Sequence, residues 1–215
     1  MRRPNNDPSQ VYNDHIGETI IVMGNSHSLT EMDLDQFDCF TTLGVNRILE
    51  MYDPVYLMVV DGSVIKDQYE LMREYEGTIL IYPGTMGSAS KRFYNGPWVS
   101  TGKMTSTCDP TAKTGPIHIG RRGNSAYEAT QIAMRMGAKR IALAGVDLYW
   151  PPGKPSHFFG NGKDRGCSLR CEDWIAEDFH KLKKMYEAIG VEIVSVSPWQ
   201  TPLRDRLGYI PIEEL

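Results

Sequence analysis

One stretch, from Arg121 to Asp147, leaves the chain little freedom of architecture. Arg121-Arg122-Gly123-Asn124 leads into Ser125-Ala126-Tyr127-Glu128, which reads as a capping box. In that pattern the Ser125 hydroxyl accepts from a first-turn N–H and Glu128 reaches back. Ala126, Ala129, Ile132, Ala133 and Met136 then recur at three- and four-residue spacing, giving one apolar helix face. Gly137 is the expected C′ stop. Ile141-Ala142-Leu143-Ala144-Gly145-Val146-Asp147 is almost wholly apolar and predicts a strand buried on both faces, as in a parallel sheet under helices. Two arginines and a polar loop before a capped helix form an anion site, and phosphate is the obvious anion.

The same alternation runs through the rest of the chain. Thr19 to Met23 predicts a first strand, 38–46 a second, 55–61 a third and 78–83 a fourth. Ile117-His118-Ile119 is a brief further strand and 191–197 the last. Helices are expected from the capping box Ser28-Leu29-Thr30-Glu31, over 64–76, and over 172–189. In the last helix Trp174, Ile175, Phe179, Leu182, Met185, Tyr186 and Ile189 form the expected buried stripe. Strands alternating with helices predict an α/β, Rossmann-like domain with a mostly parallel sheet and helices on both faces.

The first strand runs directly into Gly24-Asn25-Ser26-His27-Ser28. Strand, small polar loop and helix start is the layout of a nucleotide-binding α/β fold. This loop is neither GxGxxG nor a P-loop and has no P-loop lysine, so an ordinary tight turn stays open beside the phosphate reading. Asn25, Asn46, Asp61 and Asp147 all fall just past predicted strands. Each alone is a common turn former or cap. In a parallel sheet these ends share one edge, where ligands bind.

Two segments break the alternation. Residues 84–116 are rich in Gly, Ser, Thr and Pro around Phe93, Tyr94 and Trp98. Residues 149–172 begin with Tyr149 and Trp150 and carry His157, Phe158 and Phe159 among prolines and glycines. The second is expected to be a lid over substrate, or a contact between copies in a homo-oligomer. The organisation expected is a mobile tail over 1–15 and a single nucleotide-binding domain over 16–215, with insertions at about 84–116 and 149–172. Residues 201–215 are too poor in apolar side chains to fold alone and are expected to pack across the sheet or a partner.

A chain of 215 residues with net charge −4 does not suit broad nonspecific nucleic-acid binding. No run of about 18 apolar residues predicts a membrane span. No apolar core follows the first arginines, so no signal peptide is expected. The four cysteines (Cys39, Cys108, Cys167 and Cys171) read as reduced thiols of a cytoplasmic protein. Cys167 and Cys171 with His157 make at most half a zinc site, and no metal ligand set is assigned.

Taken together, Gly24-Asn25-Ser26-His27-Ser28-Leu29, Val45-Asn46-Arg47, Asn124-Ser125-Ala126-Tyr127, 137–147 and Ser197-Pro198 resemble a known group. The resemblance is to bacterial CMP-sialic-acid-dependent sialyltransferases, their phage-borne homologues and the 6-hydroxymethylpterin diphosphokinases, over about residues 19–202. It implies a Rossmann-like fold binding a nucleotide. Asn25, Asn46 and Ser125 would contact CMP, Arg122 would lie beside the phosphate and Tyr149 near it. Asp61 stands where the sialyltransferases carry asparagine. Ser26-His27 replaces their Gly-Pro, and their general-base histidine would fall near Asp173.

The nucleotide site expected therefore comprises Gly24, Asn25, Ser26, Asn46, Asp61, Asn124, Ser125 and Asp147. Arg122, Tyr149 and His157 are the candidate catalytic residues. A nucleotide-sugar glycosyltransferase would use Arg122, helix amides and Tyr149 to stabilise leaving-group charge. His157 would take the proton of an acceptor hydroxyl on a glycan or small molecule. The alternative is a diphosphokinase acting on a pterin-like alcohol, with Mg²⁺ held by Asp61 and Asp147. A third reading is a nonenzymatic nucleotide-binding protein.

Overall fold

Among the described residues, seven strands pair side by side in the order β5-β4-β3-β2-β1-β8-β9, every pair parallel. They are β1 (Thr19–Met23), β2 (Thr41–Val45), β3 (Tyr56–Val59), β4 (Thr78–Ile81), β5 (Val99–Ser100), β8 (Arg140–Ala144) and β9 (Glu192–Ser195). A separate two-stranded parallel ribbon joins β6 (Met104–Thr105) to β7 (Ile117–His118). The computed structural model describes residues 8–86, 94, 96–120, 123–149, 151–160 and 169–215, the backbone alone for 8 and 169–172.

Side chains alternate across a strand with period two, and this divides the core into two layers. Ile20, Val22, Leu43, Val45, Met58, Ile141 and Leu143 point to one face. There they meet Ala129, Ile132 and Ala133 of α3 (Ser125–Arg135) and Phe179, Leu182 and Tyr186 of α4 (Leu169–Glu187). Ile21, Met23, Leu57, Val59, Ile79, Ile81, Ala142 and Ala144 point to the other. That face is covered by Val64 and Ile65 of α1 (Gly62–Asp67), Met72 of α2 (Tyr69–Glu74), and Leu29, Phe37 and Ile48 of short 3₁₀ turns. The expected α/β Rossmann-like sheet with helices on both faces is therefore the observed one.

Several elements differ from expectation. The helix expected after β1 is a 3₁₀ helix, His27–Glu31, with no side-chain cap. The single helix expected over 64–76 is two short ones meeting at Gln68. On α4, Ala176, Phe179, Leu182 and Tyr186 are the buried stripe, whereas Trp174 and Met185, and Ile189 just past its end, are exposed. α3 is buried on nearly every side, not along one face. The C-terminal stretch forms α5 (Pro202–Leu207), with Leu203 and Leu207 buried against the α4 face. No described helix is long and apolar enough to cross a membrane.

Part of the first irregular segment is tied to α3 by polar groups. Arg135 is 1% exposed, so its charge must be compensated by hydrogen bonds. Its guanidinium donates to the carbonyls of Ala112 at 3.0 Å, Gly115 at 2.6 Å and Pro116 at 2.7 Å, and to Tyr12 Oη at 3.1 Å. The Gln131 amide accepts from His118 N and donates to His118 O, both at 2.8 Å, fixing β7. Residues 1–7 of the expected tail lie outside the described residues. Within 8–15, Val11 is buried and Asn13 and His15 donate backbone N–H to Arg135 and Met136 carbonyls.

The chain steps outward from β1 to β5 and returns to place β8 on the other side of β1. The strand order therefore reverses at β1/β8, and the rim beyond the carboxyl ends of these strands is where ligands bind in such sheets. The two strands leave the sheet in contact: Gly24 N donates to Ala144 O at 2.8 Å and Ser26 N to Gly145 O at 2.9 Å. A Cβ on Gly24 would stand 2.1 Å from Gly145 O, so only glycine fits there.

Candidate functional site

Asn46 is the joint of the rim. It follows β2 with φ +53°, a left-handed conformation that asparagine tolerates better than most residues. In that pose its amide faces two neighbours. Nδ2 donates to Ser125 Oγ at 2.9 Å, and Oδ1 accepts from Val60 N at 3.3 Å. The end of β2, the end of β3 and the start of α3 are thereby laced together. They border a cleft of about 490 Å³ that includes Asn46, Asp61, Tyr82, Thr85, Ser125 and Glu128 in its walls.

The cap of α3 lies one residue earlier than the sequence pattern suggests. Asn124 is extended (φ −130°, ψ 116°), and its Oδ1 accepts from Ala126 N at 3.0 Å and Tyr127 N at 3.1 Å. Ser125 is the first helical residue, which releases its hydroxyl to Asn46 and the cleft. Asp61 caps α1 in the same manner, accepting from Ser63 N at 2.9 Å.

Glu128, expected to be half of the capping box, is 1% exposed and borders the cleft. Its Oε2 has no hydrogen-bond partner. Burial pushes the carboxyl up to about 8, although the nearby backbone of Asn124 and of Glu128 itself opposes this. At neutral pH Glu128 is therefore mostly protonated, a donor in place of a charge. Nothing in the sequence marks it, because a glutamate in a first helical turn is ordinarily solvated.

The first loop adjoins this cleft. Asn25 Nδ2 donates to Val45 O at 3.2 Å, one residue before Asn46, while its Oδ1 is buried without a partner. The second insertion packs onto the same loop. Phe158 N donates to Asn25 O at 3.1 Å, and Ser26 and His157 form an antiparallel bridge. His157 Nδ1 and Ser156 Oγ are 2.8 Å apart. The imidazole stacks on Phe159, and the Arg47 guanidinium covers the Phe159 ring at 4.7 Å. Burial holds the His157 pKa below its ordinary value, so the ring is neutral at pH 7 and able to accept a proton.

Asp147 stands apart from the cleft. It is fully buried, accepting from Ser197 Oγ, while its backbone N–H donates to Ser26 Oγ at 3.2 Å. Burial raises its pKa, opposed by the Ser197, Ser28 and Ser26 hydroxyls. The Ser28 hydroxyl is close enough to act on it electrostatically but makes no well-aligned hydrogen bond. Asp147 thus fastens β8 to the chain beyond β9 and to the first loop. Tyr149, half-buried, lies two residues further on. Arg121, Arg122, Trp150 and Cys167 lie outside the described residues.

The geometry gives Asp61 and Asp147 no common ion. They follow β3 and β8, three strand spacings apart in the sheet, about 14 Å at ~4.8 Å per spacing. No group of three His, Cys, Asp or Glu side chains among the described residues is arranged to hold a metal. The structure thus gathers Gly24, Asn25, Ser26 and His157 at one end of the rim and Asn46, Asp61, Asn124 and Ser125 at the other. The Asn25–Val45 hydrogen bond joins the two groups.

No protein-family model and no curated protein sequence matches the chain. Solved structures do. The sialyltransferase CstII from Campylobacter jejuni, in complex with the substrate analogue CMP-3FNeuAc, aligns at TM-score 0.57 and 14% identity over 92% of this chain and 88% of that one. The same enzyme with cytidine-5'-monophosphate aligns at TM-score 0.59 and 15% identity over 93% and 88%. The MAf glycosyltransferase from Magnetospirillum magneticum AMB-1 aligns at TM-score 0.59 and 11% identity over 97% of this chain but only 38% of that longer protein. The fold of this chain is thus a glycosyltransferase-like α/β fold, shared with a sialyltransferase and a MAf glycosyltransferase.

Proposed function

We propose that the protein is a nucleotide-sugar-dependent glycosyltransferase whose donor is a CMP-sugar or another nucleotide-sugar. The observation that carries the reading is the Asn46 joint: the amide of one residue held at positive φ ties two strand ends to a helix start beside a cleft of nucleotide size. The fold shared with CstII, solved with CMP and a CMP-sugar analogue, supports the choice of ligand.

In this reading the nucleotide lies along the rim, contacted by Gly24, Asn25, Ser26, Asn46, Asp61, Asn124 and Ser125. The bond between the sugar carbon and the nucleotide phosphate breaks, and its electron pair leaves with the phosphate. The helix start at Ser125, with its partial positive charge, Arg122 and Tyr149 stabilise that developing charge. The acceptor hydroxyl attacks the sugar carbon and passes its proton to His157 Nε2, in the tautomer whose Nδ1–H donates to Ser156 Oγ. The acceptor is a glycan or a small molecule with a free hydroxyl.

A thermal-shift screen with CMP, CDP, UDP, GDP and ATP, each with and without Mg²⁺, tests the proposal. A ligand at a hundred times its Kd stabilises by about 2.7 kcal/mol. For a chain of this size that raises Tm by roughly 5–10 °C. The expected result is stabilisation by one pyrimidine nucleotide without metal, lost in Asn46→Ala. Stabilisation by ATP only with Mg²⁺ would favour diphosphoryl transfer instead. Tight binding with no transfer from any donor would favour a nonenzymatic role. No shift with any nucleotide would refute all three.

A further inference from the structure

Glu128 borders the cleft, and the proposed reaction gives it no task. Its carboxyl is buried, its Oε2 has no partner, and it sits in the first full turn of the eleven-residue helix whose start forms the cleft wall. A buried polar atom left unpaired costs stability. Such an atom at a ligand cleft is explained if the ligand completes its hydrogen bonding.

We infer that Glu128 is a ligand-contacting residue, whose unpaired Oε2 donates a hydrogen bond to an acceptor oxygen of a phosphorylated ligand held at the start of α3. The inference rests on the nucleotide reading of the cleft and goes beyond it by assigning the donor. An ionised carboxylate at this place would oppose an anionic ligand and cancel the partial positive charge of the helix start. Kept protonated by burial, it does neither and supplies a proton to share. Among the described residues, the other titratable groups near it are Asp61 after β3, Tyr82 after β4 and its neighbour Tyr127 on α3, and the residue that follows β2 is the neutral Asn46. All of these remain in a Glu128 variant, so their titration cancels in the comparison.

The test is calorimetric titration of the full chain with CMP at pH 7.0, 8.0, 9.0 and 9.5, for wild type and Glu128→Gln. Over this range the phosphate of CMP is already about nine-tenths or more ionised, its second pKa being about 6. Wild-type affinity is expected to fall about thirtyfold from pH 7.0 to 9.5 as the proton is lost, by linkage to one group titrating near 8. Glu128→Gln keeps a neutral donor of the same length and is expected to change less than twofold. Equal pH slopes in the two proteins would overturn the assignment while leaving the nucleotide site intact. Absence of binding to either protein, at any pH, by CMP and by every other nucleotide of the thermal-shift screen would overturn both. If Glu128→Gln does not fold, the wild-type carboxyl is followed by carbon NMR with and without CMP. A Glu128 pKa raised by CMP is the supporting result, and one unmoved by saturating CMP overturns the assignment.

Discussion

Replacing Glu128 by glutamine is expected to flatten one component of the protein's pH dependence even without ligand, by an amount the structure sets. In the unfolded chain this carboxyl ionises near its ordinary 4.5; in the fold, burial moves it to about 8. Between those values the native state holds a proton that the unfolded state has released, so stability falls as pH rises through the window. At 1.36 kcal/mol per pKa unit, the full effect is about 5 kcal/mol once pH exceeds 8. Integrated over each state, the penalty is about 1 kcal/mol at pH 5 and about 4 kcal/mol at pH 8. Glutamine does not titrate. The stability of Glu128→Gln minus that of wild type is therefore expected to grow by about 3 kcal/mol or more between pH 5 and pH 8. Urea unfolding at half-unit pH intervals measures this difference, and Asp147 and His157 cancel from it because both proteins retain them. Parallel stability curves would refute the argument, since they would mean that Glu128 reaches solvent or a cation and ionises normally.

Three further outcomes follow from named contacts. Asn46→Ala removes both side-chain hydrogen bonds and leaves a β-carbon residue at φ +53°, so denaturant titration should show a loss of about 2–4 kcal/mol, together with loss of nucleotide binding. Gly24→Ala brings a methyl to 2.1 Å from Gly145 O; since backbone cannot yield as a side chain does, a loss of at least ~3 kcal/mol and a sharp fall in soluble yield are expected. With His157 as base, the acid limb of the transfer rate against pH should bend below 6.5, because burial lowers this histidine; a bend above 6.5, or an unchanged limb in His157→Ala, would remove it from that role.

The parts of the fold legible in the sequence are those governed by period and punctuation. The apolar runs ending in Asn46, Asp61 and Asp147 mark strands because a buried parallel strand needs apolar side chains on both faces. Short-range patterns decide less where two readings share one motif. Asn124 and Ser125 are both good caps, and only the extended backbone at Asn124 selects the first. The stripe assigned to α4 was too wide: Phe179, Leu182 and Tyr186 keep helical spacing on the sheet side, while Trp174, Met185 and Ile189 fall outside that arc. Glu128 was illegible for a different reason. Glu128 shares its cleft with residues at strand ends, among them Asn46, Val60 and Tyr82, that are remote in sequence from its own turn.

The legible and illegible residues meet at Asn46, which indicates why the rim is built as it is. Holding a non-glycine residue at positive φ costs of order 1 kcal/mol or more. Glycine would avoid that cost at this corner, but it has no amide to span Ser125 Oγ and Val60 N. Two ordinary hydrogen bonds contribute about 1 kcal/mol each, so the net gain in stability is small. Stability alone is therefore a weak reason for asparagine here. Its larger effect is positional: the amide fixes the Ser125 hydroxyl, and with it the first turn that carries Glu128, against two strand ends. A cleft needs that rigidity only if the groups around it must meet a ligand in a fixed geometry.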